Sequence, residues 1–290
     1  MEQFTIRQIE QLSGIKAPTL RIWEKRYNLI APGRSEGRQR VYTNEDLRSI
    51  LKVVYLYQRG MRISKIAALK DPQMQSFING REESPGNFSA LVAMLTEASI
   101  SLDSSRINSI FNRVEKEYGF EDLVLKLIYP LLVKLGSAWV SGKIMPNNEH
   151  FVSHLVITKI LSATNSLNLP PKTGRSVILF EPAGEFHEIP LLFMQYLFKK
   201  YGWQTVYFGR NIPLEIIDEY CADRKVSHLY CHMVTSLSQE EPAVYLENVS
   251  RRFPQVMVVA GGTLVQKIKA AAGNVLLLKN EDAVMNFVTS

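Results

Sequence analysis

Apolar residues recur along the chain with two periods, and the change of period marks three segments. In the first 75 residues the spacing is helical. Ile6, Ile9 and Leu12 predict a short helix opened by Thr5 with Gln8 three residues on and closed by Ser13-Gly14. Leu20 and Trp23 form the buried stripe of a second helix over about 17–27, with Thr19, Arg21, Lys25 and Arg26 on other faces. Pro32-Gly33 then breaks the chain, and residues 34–41 read as a glycine-punctuated hairpin. Thr43 with Asp46 caps a third helix whose apolar side is Leu47, Ile50, Leu51, Val54 and Leu56, and Ser64 opens one more short helix ending near Asp71-Pro72. Two helices across a tight turn followed by a hairpin predict a winged helix-turn-helix, with its recognition helix second.

Residues 76–87, including the polar run NGREESPGN, read as a linker. Over 88–168 four helical patterns follow, at about 88–100, 103–118, 120–138 and 147–166, joined by short loops. That is a four-helix bundle. From 172 to 290 the period switches to β-rich runs at 176–181, 204–208, 227–233, 256–260 and 274–278, alternating with amphipathic helices. One helix has Pro213 at its first turn and another is opened by Ser238 with Glu241. The expected fold class is therefore multidomain α and α/β, ending in a flavodoxin-like doubly wound parallel sheet. Ligands of such sheets sit beyond the carboxyl ends of the strands, at loops 182–190, 234–239 and 261–263 here.

Charge sharpens the division. Residues 1–70 hold 14 Lys and Arg against 6 Asp and Glu, a net +8, while the remainder holds 20 against 22, so the formal +6 of the chain comes from its first quarter. A basic head on a near-neutral body points to a polyanion at that end. Cys221 and Cys231 are read as reduced core thiols. MEQFTIRQIE is no signal peptide and no apolar run has the length of a membrane span, so the expectation is a soluble cytoplasmic protein without a membrane partner.

The second helix carries Thr19, Arg21, Trp23, Glu24, Arg26 and Tyr27, and the hairpin carries Arg40 and Tyr42. This Thr-x-Arg-x-Trp-Glu-x-Arg-Tyr run followed by Arg-x-Tyr closely resembles the winged helix-turn-helix of MerR-family transcription regulators. The resemblance implies a double-stranded DNA operator as partner. Arg21 and Tyr27 on the helix and Arg38, Arg40 and Tyr42 on the wing would touch DNA, with Thr19, Lys25, Arg26 and Arg34 completing the interface. Arginine can bridge guanine edges or phosphates, and tyrosine hydroxyls reach backbone oxygens. Trp23 is expected in the core.

Glu185-Phe186-His187-Glu188-Ile189-Pro190 resembles the Asp/Glu-x-His-x-x-Gly signature of cobalamin-binding domains, in which the histidine ligates cobalt and the acid holds its other ring nitrogen. Trp139 followed by Glu149-His150 resembles the Trp-x9-Glu-His motif of the helical domain that covers the corrin, and Gly261-Gly262 and Ser236 fall where the nucleotide tail would run. Behind a MerR head, this order resembles the light- and cobalamin-responsive repressors of carotenoid genes. Cobalamin is then the implied cofactor and His187 its metal ligand. Three positions depart: Pro190 replaces the signature glycine, Val140 stands where the photoreceptor branch has histidine after the tryptophan, and loop 234–238 follows Ser-x-Leu only roughly.

Plainer readings of the same residues make Trp139 bundle core, Glu149-His150 a solvated first turn and His187 a loop residue. His150 and His154 have the spacing of a zinc pair without a convincing third ligand. His228 and His232 flank a buried strand and are expected to satisfy backbone groups. The leading expectation is a non-enzymatic transcription regulator, a repressor by resemblance, in which ligand between two domains sets a dimeric or tetrameric state. The alternative keeps the head and makes the rest a cobalamin-independent dimerisation or partner-binding module. A methyltransferase-type corrinoid carrier is the third reading.

Overall fold

The computed structural model describes the chain except residues 1–2, 14, 31, 35–39, 59–60, 71–72, 75–87, 141–143, 145, 168, 235–240 and 271–272. The linker expected at 76–87, and Gly14 and Ser238 as helix boundaries, lie outside the described residues. The chain divides into two compact units, Met1–Leu155 and Val156–Ser290, the division falling inside a helix.

The first unit opens with β1 (Gln3–Phe4), α1 (Ile6–Ser13), α2 (Ala17–Tyr27), β2 (Gly33–Arg34), β3 (Arg40–Thr43), α3 (Asn44–Gln58) and α4 (Ile63–Ala67). β3 lies between β1 and β2, antiparallel to both, with Phe4 opposite Tyr42 and Arg34 opposite Arg40. The capping box is present: Asp46 N donates to Thr43 Oγ1 at 3.1 Å and Thr43 N to Asp46 Oδ2 at 2.8 Å. α4 starts one residue before Ser64, with Arg62 at its N-cap.

Next come α5 (Phe88–Ile100), α6 (Ser104–Tyr118), α7 (Phe120–Asp122), a π-helical turn Leu123–Ile128, α8 (Tyr129–Val140) and α9 (Pro146–Ser166). The π turn, absent from the sequence pattern, lies just ahead of Pro130, whose missing N–H and ring disturb the regular ladder; Tyr129 N instead donates to Val124 O. α5 is apolar on most sides because α3, α6 and α8 all pack on it. Its buried Thr96 and Ser99 hydroxyls donate to the carbonyls of Val92 and Leu95 at 2.6 and 2.5 Å, so burial leaves neither donor unmet.

The second unit holds β4 (Ser176–Pro182), α10 (Glu188–Lys200), β5 (Gln204–Ile212), α11 (Leu214–Ala222), β6 (His228–His232), α12 (Pro242–Arg252), β7 (Met257–Gly261), β8 (Val275–Leu278) and α13 (Glu281–Thr289). All five strands are parallel in the spatial order β5-β4-β6-β7-β8, which is the flavodoxin-like doubly wound topology. One face buries Ile178, Phe180, Leu229, Cys231, Val258 and Ala260 with Ile217, Leu246 and Val249 from the helices. Beyond them Phe198, Trp203 and Phe287 pack edge-on, and Trp203 Nε1 donates to Val288 O at 3.1 Å. Two helix starts differ in detail from the sequence pattern. Pro213 is the N-cap of α11 rather than part of its first turn, and α12 starts at Pro242, with Glu241 as N-cap.

Candidate nucleic-acid interface and ligand-binding edge

The turn between α1 and α2 is held by one carboxylate. Glu10 Oε2 accepts from Ala17 N at 3.0 Å, satisfying a free donor at the start of α2, and Oε1 meets Lys16 Nζ at 3.0 Å. The Ala17 bond first, then Lys16, holds the Glu10 carboxyl below the usual range. Leu20 and Trp23 are buried as expected, Trp23 edge-on to Tyr57 at 5.2 Å. Asn28 ends α2 in the left-handed region. Between these fixed ends Arg21, Lys25 and Arg26 are exposed, Thr19 and Tyr27 half-buried, and the Arg26 guanidinium lies 5.6 Å from the centre of the Tyr27 ring.

On the wing, Arg40 Nε donates to both carboxylate oxygens of Glu24, at 2.9 and 3.1 Å, tying β3 to α2. Those bonds raise the Arg40 pKa further above its already high value. Arg34 is exposed and directly opposite Arg40, a like-charge pairing that disfavours the ladder by itself. Glu24 offsets one of the two charges. Tyr42, expected at the DNA surface, is only 1 % exposed and serves as a buried support of β3 instead; burial, then Glu24, raises its hydroxyl pKa. Arg38 lies outside the described residues.

At the carboxyl edge of the sheet, Glu185 and His187 come together as the sequence suggests. The buried Glu185 accepts from Val234 N (2.8 Å, Oε2) and Phe186 N (3.0 Å, Oε1), while Oε1 lies 2.6 Å from His187 Nδ1. An ionised carboxylate only accepts, so Nδ1 is the donor in this pair. The His187 side chain is 49 % exposed, at the N-cap of α10. Glu188, the first residue of α10, accepts from Tyr207 Oη at 3.1 Å. Pro190 is the third helical residue, where a fixed φ is tolerated. Pro182, Ala183, Gly184, Glu185, Met233 and Leu264 line a shallow cleft beside the pair, at the ends of β4, β6 and β7.

Gly261 and Gly262 have a packing reason to be glycine. A Cβ at Gly261 would meet the Tyr230 hydroxyl, and one at Gly262 the Met233 carbonyl, with Gly262 at a φ of 107°. His228 hydrogen-bonds the Ser176 backbone, as expected, and its Nδ1 also lies 2.8 Å from Ser227 Oγ, while His232 Nδ1 lies 2.8 Å from Tyr230 Oη. Burial lowers the His232 pKa to about 4. Glu181, which the sequence reading missed, is 0 % exposed and neither carboxylate oxygen has a hydrogen-bond partner among the described residues. Burial first, then Glu185 and Glu188, pushes it up to about 8. The signal was one acid closing the apolar run SVILFEP.

In the first unit, Glu149 accepts from Ser153 Oγ and meets His150 Nδ1 at 3.1 Å, near the start of α9, with His150 exposed. Trp139 and Val140 lie in α8, their side chains outside the described set, as is Ser236. No group of three or more His, Cys, Asp or Glu among the described residues is arranged to hold a metal ion. No helix among them is long and apolar enough to cross a membrane.

Together these features give a winged helix-turn-helix at the front of the chain and a flavodoxin-like parallel sheet at its end, and each is similar to part of known proteins. Residues 4–71 match the family described as MerR HTH family regulatory protein. The HTH-type transcriptional repressor CarA of Myxococcus xanthus is 26% identical over 259 residues, covering 89% of this chain and 85% of that protein. The HTH-type transcriptional repressor CarH of the same organism is 23% identical over 274 residues, covering 92% and 91%. Both similarities are to transcription regulators rather than enzymes. Among solved structures, the Methanosarcina barkeri monomethylamine corrinoid protein superimposes with a TM-score of 0.54 at 15% identity, covering 67% of this chain and 94% of that one, a likeness of fold.

Proposed function

We propose that this chain is a DNA-binding transcription repressor whose C-terminal region takes a cobalamin or related corrinoid and thereby sets how many basic heads act together. The observation that carries the sensing half is the Glu185–His187 pair. A buried, doubly anchored carboxylate holds Nδ1 of a half-exposed imidazole ring, which is how a histidine that ligates a metal-centred macrocycle would be oriented. This donor set fits the group. When bound, the corrinoid would supply a metal centre capable of ligand exchange. His187 would hold it, and Glu185 would orient His187.

For the head, exposed Arg21, Lys25, Arg26 and Arg34 supply phosphate and base-edge contacts, and the Glu24–Arg40 bond sets the angle of the wing. Association of two or four protomers would bring as many heads to repeated half-sites, raising affinity through effective concentration.

A second reading, a corrinoid-independent association module, is favoured by two departures: Pro190 stands where the signature has glycine, and Val140 where the photoreceptor branch has histidine. One experiment separates the two. The full chain is incubated in darkness with hydroxocobalamin and with adenosylcobalamin, freed of unbound corrinoid, and its visible spectrum and oligomeric mass are recorded. A stoichiometric corrin band that moves in His187→Ala supports sensing. A colourless protein whose mass is unchanged supports the association module.

A further inference from the structure

We propose that Ile22 is a specificity-determining residue that reads the C5-methyl group of a thymine in the operator; this rests on the DNA-binding reading above. Ile22 is 55% exposed, although its helix neighbours Leu20 and Trp23 are buried. With Pro18, Arg21, Lys25 and Arg26 it completes an exposed stripe at positions i, i+3, i+4, i+7 and i+8 along α2. An isoleucine held in water forgoes most of the gain that its burial would bring. It lies at the middle of a face whose other long side chains are cationic, so a polyanion is what covers it.

The occupant follows from chemistry. Among the base edges that a major groove presents, the thymine C5-methyl is the one apolar group; the rest are hydrogen-bond donors and acceptors that isoleucine cannot engage. Arg21, Lys25 and Arg26 bring the face to the phosphates and polar edges, and Ile22 adds a contact that only thymine rewards. β-Branching restricts its χ1 in a helix, so little rotamer freedom is lost on docking. The contact therefore discriminates between sequences more than it strengthens binding to duplex in general.

The test uses the full chain and the duplex it binds best from a randomised pool. Each thymine of that duplex is replaced in turn by deoxyuridine, which removes one methyl and keeps every hydrogen-bonding group. For the native chain, affinity should fall about fourfold at one or two positions per half-site, the effect of one methyl losing its apolar cover. Ile22→Ala should bind the thymine duplex as weakly as the native chain binds the uracil one, give a flat scan, and keep the salt dependence. Ile22→Val should keep the sensitive position at reduced depth, which decides the matter if the alanine variant binds too weakly to scan. A flat scan for the native chain, or the same sensitive position in Ile22→Ala, overturns the assignment while leaving DNA binding intact. Recovery of no duplex by the native chain overturns both.

Discussion

The Nε of Arg40 lies 2.9 Å from Oε2 of Glu24, so the wing and the recognition helix share one charge-assisted bond. On charge alone, removing Glu24 should strengthen binding to a polyanion. If the bond positions the wing, the sign reverses. Glu24→Ala is expected to weaken operator binding by about two- to tenfold, a modest range because both side chains are partly solvated. Fluorescence anisotropy at fixed salt checks this, and tighter binding would remove the positioning role.

Arg34 is exposed and faces Arg40 across the β2–β3 pair, an arrangement that a phosphate would relieve. Arg34→Ala should weaken binding to all duplex sequences alike and reduce the slope of log affinity against log salt by about one. A titration between low and moderate salt, on the selected duplex and on a scrambled one, measures both.

Glu181 and His232 set opposing pH dependences of stability. Folding raises Glu181 from 4.5 to about 8, so between those values the native state holds a proton that the unfolded state has lost, and stability falls as pH rises. Folding lowers His232 from 6.5 to about 4, so between 4 and 6.5 the unfolded state holds the extra proton and stability rises with pH. The two slopes oppose each other up to about pH 6.5, and Glu181 acts without this opposition from there to about 8. Thermal melts over pH 6.5–8 should show falling stability in the native chain and a flatter profile in Glu181→Gln. Parallel profiles would mean that Glu181 has a partner the structure does not reveal.

Gly261→Ala would drive a methyl against the Tyr230 hydroxyl and should destabilise the second unit by about 1–3 kcal/mol. Because the obstacle is that hydroxyl, Tyr230→Phe should recover part of the loss, although alone it removes the 2.8 Å contact to His232. A double-mutant cycle by denaturant unfolding gives the coupling, and strict additivity would refute the clash.

Much of this was legible in the residues. Leu20 and Trp23 occupy the core that their spacing predicts, and Glu185 with His187 form the pair that their motif implies. Tyr42 was misread for a definable reason. Alternation puts Arg40 and Tyr42 on one face of β3, but it does not say that this face turns toward α2. A long arginine reaches the rim from there, whereas a tyrosine two residues on is covered. Helix starts slipped at Ser64 because serine competes as a cap even where an arginine takes the place. Glu181 was missed because nothing in a strand pattern separates an acid at the solvent end of a strand from one that is fully buried there.

The packing of α3 on α5 has a practical corollary for anyone dissecting the protein. A fragment cut after residue 75 would keep every cation of the winged region yet strip the cover from the oily flank of α3, inviting clumping or partial melting. A minimal piece carrying the winged region should therefore be cut no earlier than the end of α5. By the same contact, α5 is a direct neighbour of the helix that follows the wing.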